Sequence, residues 1–121
     1  MKPVRLLSIA SPNVIYMGAR VQTKLEVLRT LTDHSDQLRE LGVKELGLFG
    51  SFVRGEQTAE SDVDLLVQFE PDKKSFDNFM DLSELLEELL QRRVEIVTTE
   101  ALSPYIGPHI LREVEYANIS S

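Results

Sequence analysis

The chain has 121 residues, of which 42% are apolar and 27% are charged, and its formal net charge is −7. This length supports one domain, and the composition is that of a folded protein rather than a disordered one. The absence of cysteine excludes disulfides and thiolate-ligated metal sites. The two histidines, His34 and His109, are far apart in the sequence and offer little for a histidine-ligated metal.

The sign of the net charge and its distribution along the chain indicate which kinds of partner the protein can bind. Residues 1–55 carry 8 basic and 5 acidic side chains, whereas residues 56–100 carry 4 basic and 13 acidic ones. An acidic chain lacks the counterion release that drives general nucleic-acid binding, so we expect no direct contact with nucleic acid. The acidic segment suits cations or a partner with a basic face. The apolar runs are too short for a membrane span or a signal peptide, which indicates a cytoplasmic protein.

The hydrophobic pattern predicts an N-terminal extension followed by one domain. Residues 1–20 show no regular period, because Pro3, Pro12 and Gly18 interrupt it, and we interpret them as a mobile arm or an extra edge piece. The domain is predicted over residues 21–118. Its elements, in chain order, are a helix over 23–42 with a break near 32–33, a strand over 45–49, a helical turn over 51–56, a strand over 63–69, a helix over 75–91, a strand over 94–97 and a helix over 109–116.

Apolar stripes on the last two helices predict which of their faces enter the core. The face predicted to be buried in the helix over 75–91 carries six apolar residues, Phe76, Phe79, Leu82, Leu86, Leu89 and Leu90. The opposite face of that helix is acidic. In the helix over 109–116, the inner face is predicted to carry Ile110, Leu111 and Val114.

This order of elements predicts an α/β (α+β) fold, in which helices flank a small mixed sheet. The long helix between the second and third strands favours a right-handed crossover between parallel strands. The short link between the first two strands is compatible with an antiparallel pair. The end of the first strand and the beginnings of the other two are then expected to meet at one edge of the sheet.

Two residues after the first strand suggest a phosphate-binding turn. Gly50 would let the backbone approach a ligand closely, and free amides at the start of the next helical turn attract phosphate. Ser51 could donate its hydroxyl to a phosphate oxygen or cap the turn. By itself, this pair is more often a plain turn with a serine cap.

Three carboxylates at the same edge of the sheet suggest a metal site. Asp62 and Asp64 are two positions apart, so both side chains should lie on one face, where they repel each other unless a cation lies between them. By itself, an Asp-x-Asp pair is more often just an acidic loop leading into a strand. Glu95 lies between apolar residues of the third strand and needs a partner, either a metal or an arginine such as Arg92 or Arg93. Three carboxylates beside a phosphate-binding turn are the parts of a two-metal phosphoryl-transfer site.

These residues resemble the signature of the DNA polymerase β-type nucleotidyltransferases. The match is to their minimal (MNT) branch, the antitoxin partners of HEPN-domain toxins, and it covers about residues 21–117. The residues that carry the resemblance are Gly50-Ser51-x-x-Arg54-Gly55-Glu56 and Ser61-Asp62-x-Asp64-Leu65.

The resemblance implies a polymerase β-like fold and a role for each site residue. It implies that Gly50 and Ser51 hold the triphosphate of ATP, and that Asp62 and Asp64 bind two Mg²⁺ ions. Glu95 would share the catalytic metal and help to activate the attacking hydroxyl. Arg54 would either stabilise phosphate charge or brace the turn. Glu95 stands where this branch commonly has aspartate, and a displacement of about 1 Å at such a group can cost on the order of 100-fold in rate.

The function implied by the resemblance is that of an antitoxin-type protein adenylyltransferase. Such an enzyme moves AMP from ATP to a hydroxyl, here a tyrosine, of a cognate HEPN ribonuclease toxin and thereby neutralises it. We expect a hetero-oligomer, because a chain of this size has no room for a separate acceptor-binding domain. Two alternatives remain open. One is a nucleotidyltransferase subunit that acts on a small molecule such as an antibiotic, and the other is a non-catalytic module that neutralises a toxin by docking alone.

Overall fold

The computed structural model of the protein describes residues 20–119. The extension predicted over residues 1–20 lies outside the described residues, except for Arg20. In chain order, the described elements are α1 (Lys24–Asp33), α2 (Ser35–Glu40), β1 (Val43–Phe49), α3 (Ser51–Arg54), β2 (Val63–Phe69), α4 (Phe76–Leu90), β3 (Val94–Thr98), α5 (Gly107–Glu113) and β4 (Glu115–Tyr116). No helix among these residues is both long and apolar enough to cross a lipid bilayer.

The strands form one mixed sheet with the order β3-β2-β1-β4. β1 and β2 are antiparallel, and β2 and β3 are parallel, which confirms both predicted pairings. The predicted helix break is also present, since α1 ends before His34 and α2 begins after it. Thr23 and Ser75 cap α1 and α4, and each side chain accepts a hydrogen bond from a backbone N–H three residues later.

One face of the sheet packs against the helices and forms the core. Alternate residues of β2, among them Val63, Leu65 and Val67, are fully buried on this face. Their neighbours in the core come from β1 and from the inner sides of α1, α2 and α4, and include Leu31, Leu38, Leu46, Leu48, Leu82, Leu86 and Leu90. Asp64 lies on the opposite face of β2, on which Leu66 is also buried.

The predicted apolar stripes extend too far at two positions. Phe76 is 76% exposed and Leu111 is 52% exposed, so neither belongs to the core. Phe76 is the first residue of α4, and the buried positions of that helix, Leu82, Leu86 and Leu90, run from its middle to its C-terminal end. Helical periodicity predicts which face is apolar, but it does not predict how far along the helix the sheet extends.

The prediction of a helix over 109–116 is wrong at both ends. α5 covers Gly107–Glu113, and Val114 leaves the helical conformation with φ −63° and ψ 138°. Glu115 and Tyr116 then pair with Leu48 and Gly47 of β1 as the short strand β4. Pairing with an open sheet edge satisfies the backbone better than one more helical turn would, and it suits a segment rich in β-branched and aromatic residues. The first strand likewise begins at Val43, two residues earlier than predicted.

Candidate active site

The sheet places Asp64 between the other predicted site residues. Asp64, near the start of the central strand β2, is paired with Phe49 of β1 on one side and with Glu95 of β3 on the other. Gly50 follows Phe49 directly, and Asp62 lies just before β2. The end of β1 and the beginnings of β2 and β3 therefore meet at one edge, as the strand order predicted.

Gly50 is required at its position because Asp64 lies against it. Gly50 has φ 82° and ψ −153°, a conformation that is essentially restricted to glycine. A Cβ atom added there would lie 2.2 Å from Oδ2 of Asp64, which is an overlap and not a contact. The glycine therefore lets the turn after β1 approach the carboxylate of β2 closely, in addition to any contact that it makes with a ligand.

The backbone N–H of Gly50 is occupied, because it donates a hydrogen bond to Glu113. Gly50 N–H donates to Oε2 of Glu113 over 2.8 Å, and Nη1 of Arg54 lies 3.0 Å from Oε1 of the same carboxylate. Arg54 also donates from Nε to Glu56 over 2.9 Å. Burial raises the pKa of Glu113, but the hydrogen bond from Gly50 and the contact with Arg54 outweigh it and leave the pKa below its usual value. In this structure Arg54 therefore braces the turn.

Glu113 is a site residue that the sequence analysis did not single out. It lies 59 residues after Arg54 and 63 after Gly50 in the chain. No local spacing connects residues so far apart, and only the path of α5 over the sheet brings Glu113 to the turn. The segment 110–113 falls within the resemblance to the minimal nucleotidyltransferases, which is the one sequence signal that pointed to this region.

Ser51 remains available for a ligand. Its side chain is half-buried, and its hydroxyl makes no hydrogen bond to any other group of residues 20–119. Ser51 begins α3, and the amides of Ser51 and Phe52 have no carbonyl partner among residues 20–119, whereas those of the next two residues donate to the carbonyl of Gly50. This hydroxyl and the amides of Ser51 and Phe52 are the donors that the turn can offer to a phosphate, since the amide of Gly50 is already occupied.

Asp64 and Glu95 are neighbours across the β2–β3 pair, and this proximity affects the pKa of Asp64. Burial, the negative charge of Glu95 and a hydrogen bond between the two side chains raise the pKa of Asp64 to about 6. Glu95 itself is exposed, so its position between apolar residues of the strand does not force it to have a partner, contrary to our expectation. Neither suggested arginine is its partner. Arg92 is buried elsewhere, and Nε of Arg93 lies 3.8 Å from Oδ1 of Asp62.

The carboxylates of Asp62, Asp64 and Glu95 suit a divalent cation, although they do not converge on a single position in this structure. Among residues 20–119, no group of three Asp, Glu, His or Cys side chains is already arranged to hold a metal ion. Without a cation, repulsion keeps such carboxylates apart or raises the pKa of one of them, as it does for Asp64. Oxygen ligands of this kind suit Mg²⁺, which commonly takes one or two carboxylates together with phosphate oxygens of the substrate. The roles of Asp62, Asp64 and Glu95 as metal ligands stay a prediction.

A cleft of about 320 Å³ opens beside the carboxylates. Asp64 and Glu95 form its polar part. The remaining lining is apolar and comes from Phe49, Val97, Ala101, Leu102, Ile106 and Ile110. A cavity with a few polar groups against an apolar wall is typical of a site that orients a ring-containing ligand.

Comparison with known proteins identifies related sequences and folds. A model of the nucleotidyltransferase domain family matches residues 31–117. The protein adenylyltransferase MntA of Thermococcus cleftensis is 48% identical over 92 residues, which are 75% of this chain and 92% of that protein. A solved structure assigned as a minimal nucleotidyltransferase aligns with TM-score 0.61 and 35% identity, over 73% of this chain and 93% of that one.

A more distant structure shares the fold. It is the complex of a tri-AMPylated HEPN toxin of Shewanella oneidensis with an MNT antitoxin. The alignment has a TM-score of 0.53 and 17% identity, and it covers 74% of this chain and 71% of the matched chain.

Substituting two glycines tests the contact between Gly50 and Asp64. Gly50 and Gly55 both have a left-handed φ, of 82° and 74°, but a Cβ at Gly55 would meet nothing within 4 Å. Gly55→Ala should therefore cost only the penalty of the ordinary left-handed conformation, about 1 kcal/mol, whereas Gly50→Ala should cost at least about 2 kcal/mol more, because its backbone conformation is restricted to glycine and Asp64 must also move. Urea unfolding measures both free energies. Equal losses would contradict the close packing of Asp64 against this turn.

The raised pKa of Asp64 predicts a pH-dependent stability in the absence of metal. The folded-state pKa of about 6 exceeds the usual value of 3.8, so the folded state binds more protons. The contribution of Asp64 to stability is then fully present below pH 4 and is lost as the pH rises to 6 and above. In EDTA at pH 7, Asp64→Asn should raise the free energy of unfolding by about 1 kcal/mol, a value that allows for solvent screening.

The control for this measurement is Asp72→Asn, which changes an exposed carboxylate in the turn after β2. This variant should show no such gain in stability. Addition of Mg²⁺ should stabilise the wild type and not Asp64→Asn, because the cation offsets the repulsion only where both carboxylates are present. A wild type that is equally stable with Mg²⁺ and with EDTA would show that the carboxylates do not bind the ion.

Proposed function

Because the chain belongs to the nucleotidyltransferase family, we propose that it is a protein adenylyltransferase, which moves AMP from ATP to a hydroxyl group of a HEPN-domain toxin. The observation that carries this proposal is the meeting of Asp64, Glu95 and the Gly50-Ser51 turn at one edge of the sheet. The adenylyltransferase of Thermococcus cleftensis, at 48% identity, supports the reaction. The AMPylated toxin in the Shewanella oneidensis complex supports the class of acceptor.

Asp62, Asp64 and Glu95 are the residues that would hold two Mg²⁺ ions. When bound, these ions supply positive charge that polarises the α-phosphate and offsets the charge that develops on pyrophosphate. The hydroxyl of Ser51 and the first amides of α3 orient the triphosphate. The acceptor oxygen attacks the α-phosphorus, the bond from that phosphorus to the oxygen bridging to the β-phosphate breaks, and pyrophosphate leaves. Glu95, the most exposed of the cleft carboxylates, takes the proton of the attacking hydroxyl.

The apolar wall of the cleft favours a tyrosine as acceptor. Leu102, Ile106 and Ile110 would pack against an aromatic ring whose hydroxyl reaches the carboxylates on the other side. Tyr105, which is 93% exposed, and Ile106, which is 54% exposed, extend this apolar surface to the outside of the molecule. A second protein chain that covers these residues would complete the acceptor site and exclude water from it. We therefore propose that the protein acts as part of a hetero-oligomer with its toxin.

Transfer of labelled AMP to a co-expressed HEPN chain tests the reaction. Asp62→Asn and Asp64→Asn should each reduce transfer by about 100-fold or more, because each removes a charge that the transition state requires. Asp33→Asn, a carboxylate remote from the cleft, is the matched control and should transfer at the wild-type rate. Mass spectrometry of the product should place the AMP on tyrosine.

Other outcomes of this experiment would favour the alternatives. Near-normal transfer by either aspartate variant would contradict the two-metal site. Labelling of small hydroxyl compounds without the HEPN chain would indicate a stand-alone transferase. Neutralisation of the toxin by the aspartate variants, with no label transferred, would indicate a docking module.

A further inference from the structure

Arg92 carries a buried charge behind the site. Arg92 is 7% exposed, and it follows Gln91, which caps the C-terminal end of α4 in a left-handed conformation with φ 55°. A buried guanidinium is costly unless its donors are satisfied. Arg92 was considered above as a partner of Glu95, but it makes its contacts in another direction.

Within residues 20–119, the hydrogen bonds of the Arg92 guanidinium all go to backbone carbonyls. Nε donates to Val21 over 2.7 Å, and Nη1 donates to Thr58, Ala59 and Ser61 over 3.1, 3.2 and 2.9 Å. The last three belong to the irregular segment that connects α3 to β2. Since Ser61 is followed directly by Asp62, the hydrogen bond to Ser61 fixes the backbone immediately before the first metal-ligand candidate.

The same guanidinium lies over the ring of Phe52, 5.0 Å from its centroid. Phe52 is 1% exposed and is the residue after Ser51 in α3. The guanidinium of Arg92 thus contacts elements on both sides of the site. It holds the turn that would bind the triphosphate through Phe52, and it holds the start of β2 through Ser61.

We propose that Arg92 is a positioning residue of the active site, which sets the distance between the Gly50-Ser51 turn and Asp62. It touches no substrate, and it acts through Phe52 and the carbonyls of the segment 58–61. Its planar, five-donor group is suited to this task, whereas a lysine ammonium could not meet four carbonyls and a ring at once. This inference rests on the proposed function for its effect on transfer but not for its effect on the local structure.

The test compares Arg92→Ala and Arg92→Lys with Leu38→Ala. Leu38 is fully buried in α2, away from the site, so its truncation destabilises the protein without touching the loop. In Arg92→Ala, backbone amide exchange over residues 58–63 should rise about 10-fold more than in β1, because the loop opens locally. The turnover rate of AMP transfer should fall about 10-fold or more under conditions in which the variant remains folded.

Chemical rescue of Arg92→Ala by free guanidinium distinguishes a positioning role of Arg92 from a general contribution to stability. Millimolar guanidinium chloride, but not potassium chloride, should restore both the loop protection and part of the transfer rate in Arg92→Ala. If that variant does not fold, Arg92→Lys should show the same local loss to a smaller degree. An exchange pattern as uniform as that of Leu38→Ala, together with wild-type transfer per folded molecule, would overturn the inference. If the wild type transfers no AMP, the proposed function fails, while the exchange data still decide the role of Arg92.

Discussion

Asp64 lies between a carboxylate and a glycine that has no room for a side chain, and the rest of the site is arranged around this crowding. Its carboxylate is partly buried beside Glu95, which raises its pKa to about 6. On its other side it lies so close to Gly50 that even a methyl group at that position would overlap with it. Such an arrangement is unfavourable in the free protein. A bound cation would offset the repulsion, so the same feature that weakens the fold prepares the site for a metal and a phosphate.

The surrounding contacts keep this crowded edge in place. Glu113 binds the amide of Gly50 and the guanidinium of Arg54 from one side. Arg92 binds the segment before Asp62 and contacts Phe52 from the other. Both braces are charge-assisted and both are reached through long separations in the chain, so the site depends on the complete fold rather than on the motif alone.

Local sequence patterns predicted the strands and turns that carry the site residues. They could not predict the residues that hold these elements in place, because those contacts join distant parts of the chain. The alternation of Val63, Leu65 and Val67 fixed β2 and the face of Asp64, because side chains in a strand alternate with period two. The spacing from β1 to β2 placed Gly50 near Asp64. No local pattern could show that Glu113 binds Gly50, or that α5 ends at residue 113 to leave Glu115 and Tyr116 for a fourth strand. These facts depend on which surfaces meet after folding.

The identity of the metal ligands is tested most directly by a crystal structure with Mn²⁺ and a non-hydrolysable ATP analogue. Anomalous scattering locates Mn²⁺ independently of the protein coordinates. The account predicts two Mn²⁺ ions about 2 Å from oxygens of Asp62, Asp64 and Glu95, with the triphosphate against Ser51 and the start of α3. Nucleotide bound elsewhere on the protein, or Mn²⁺ absent from these carboxylates at a saturating concentration, would contradict it.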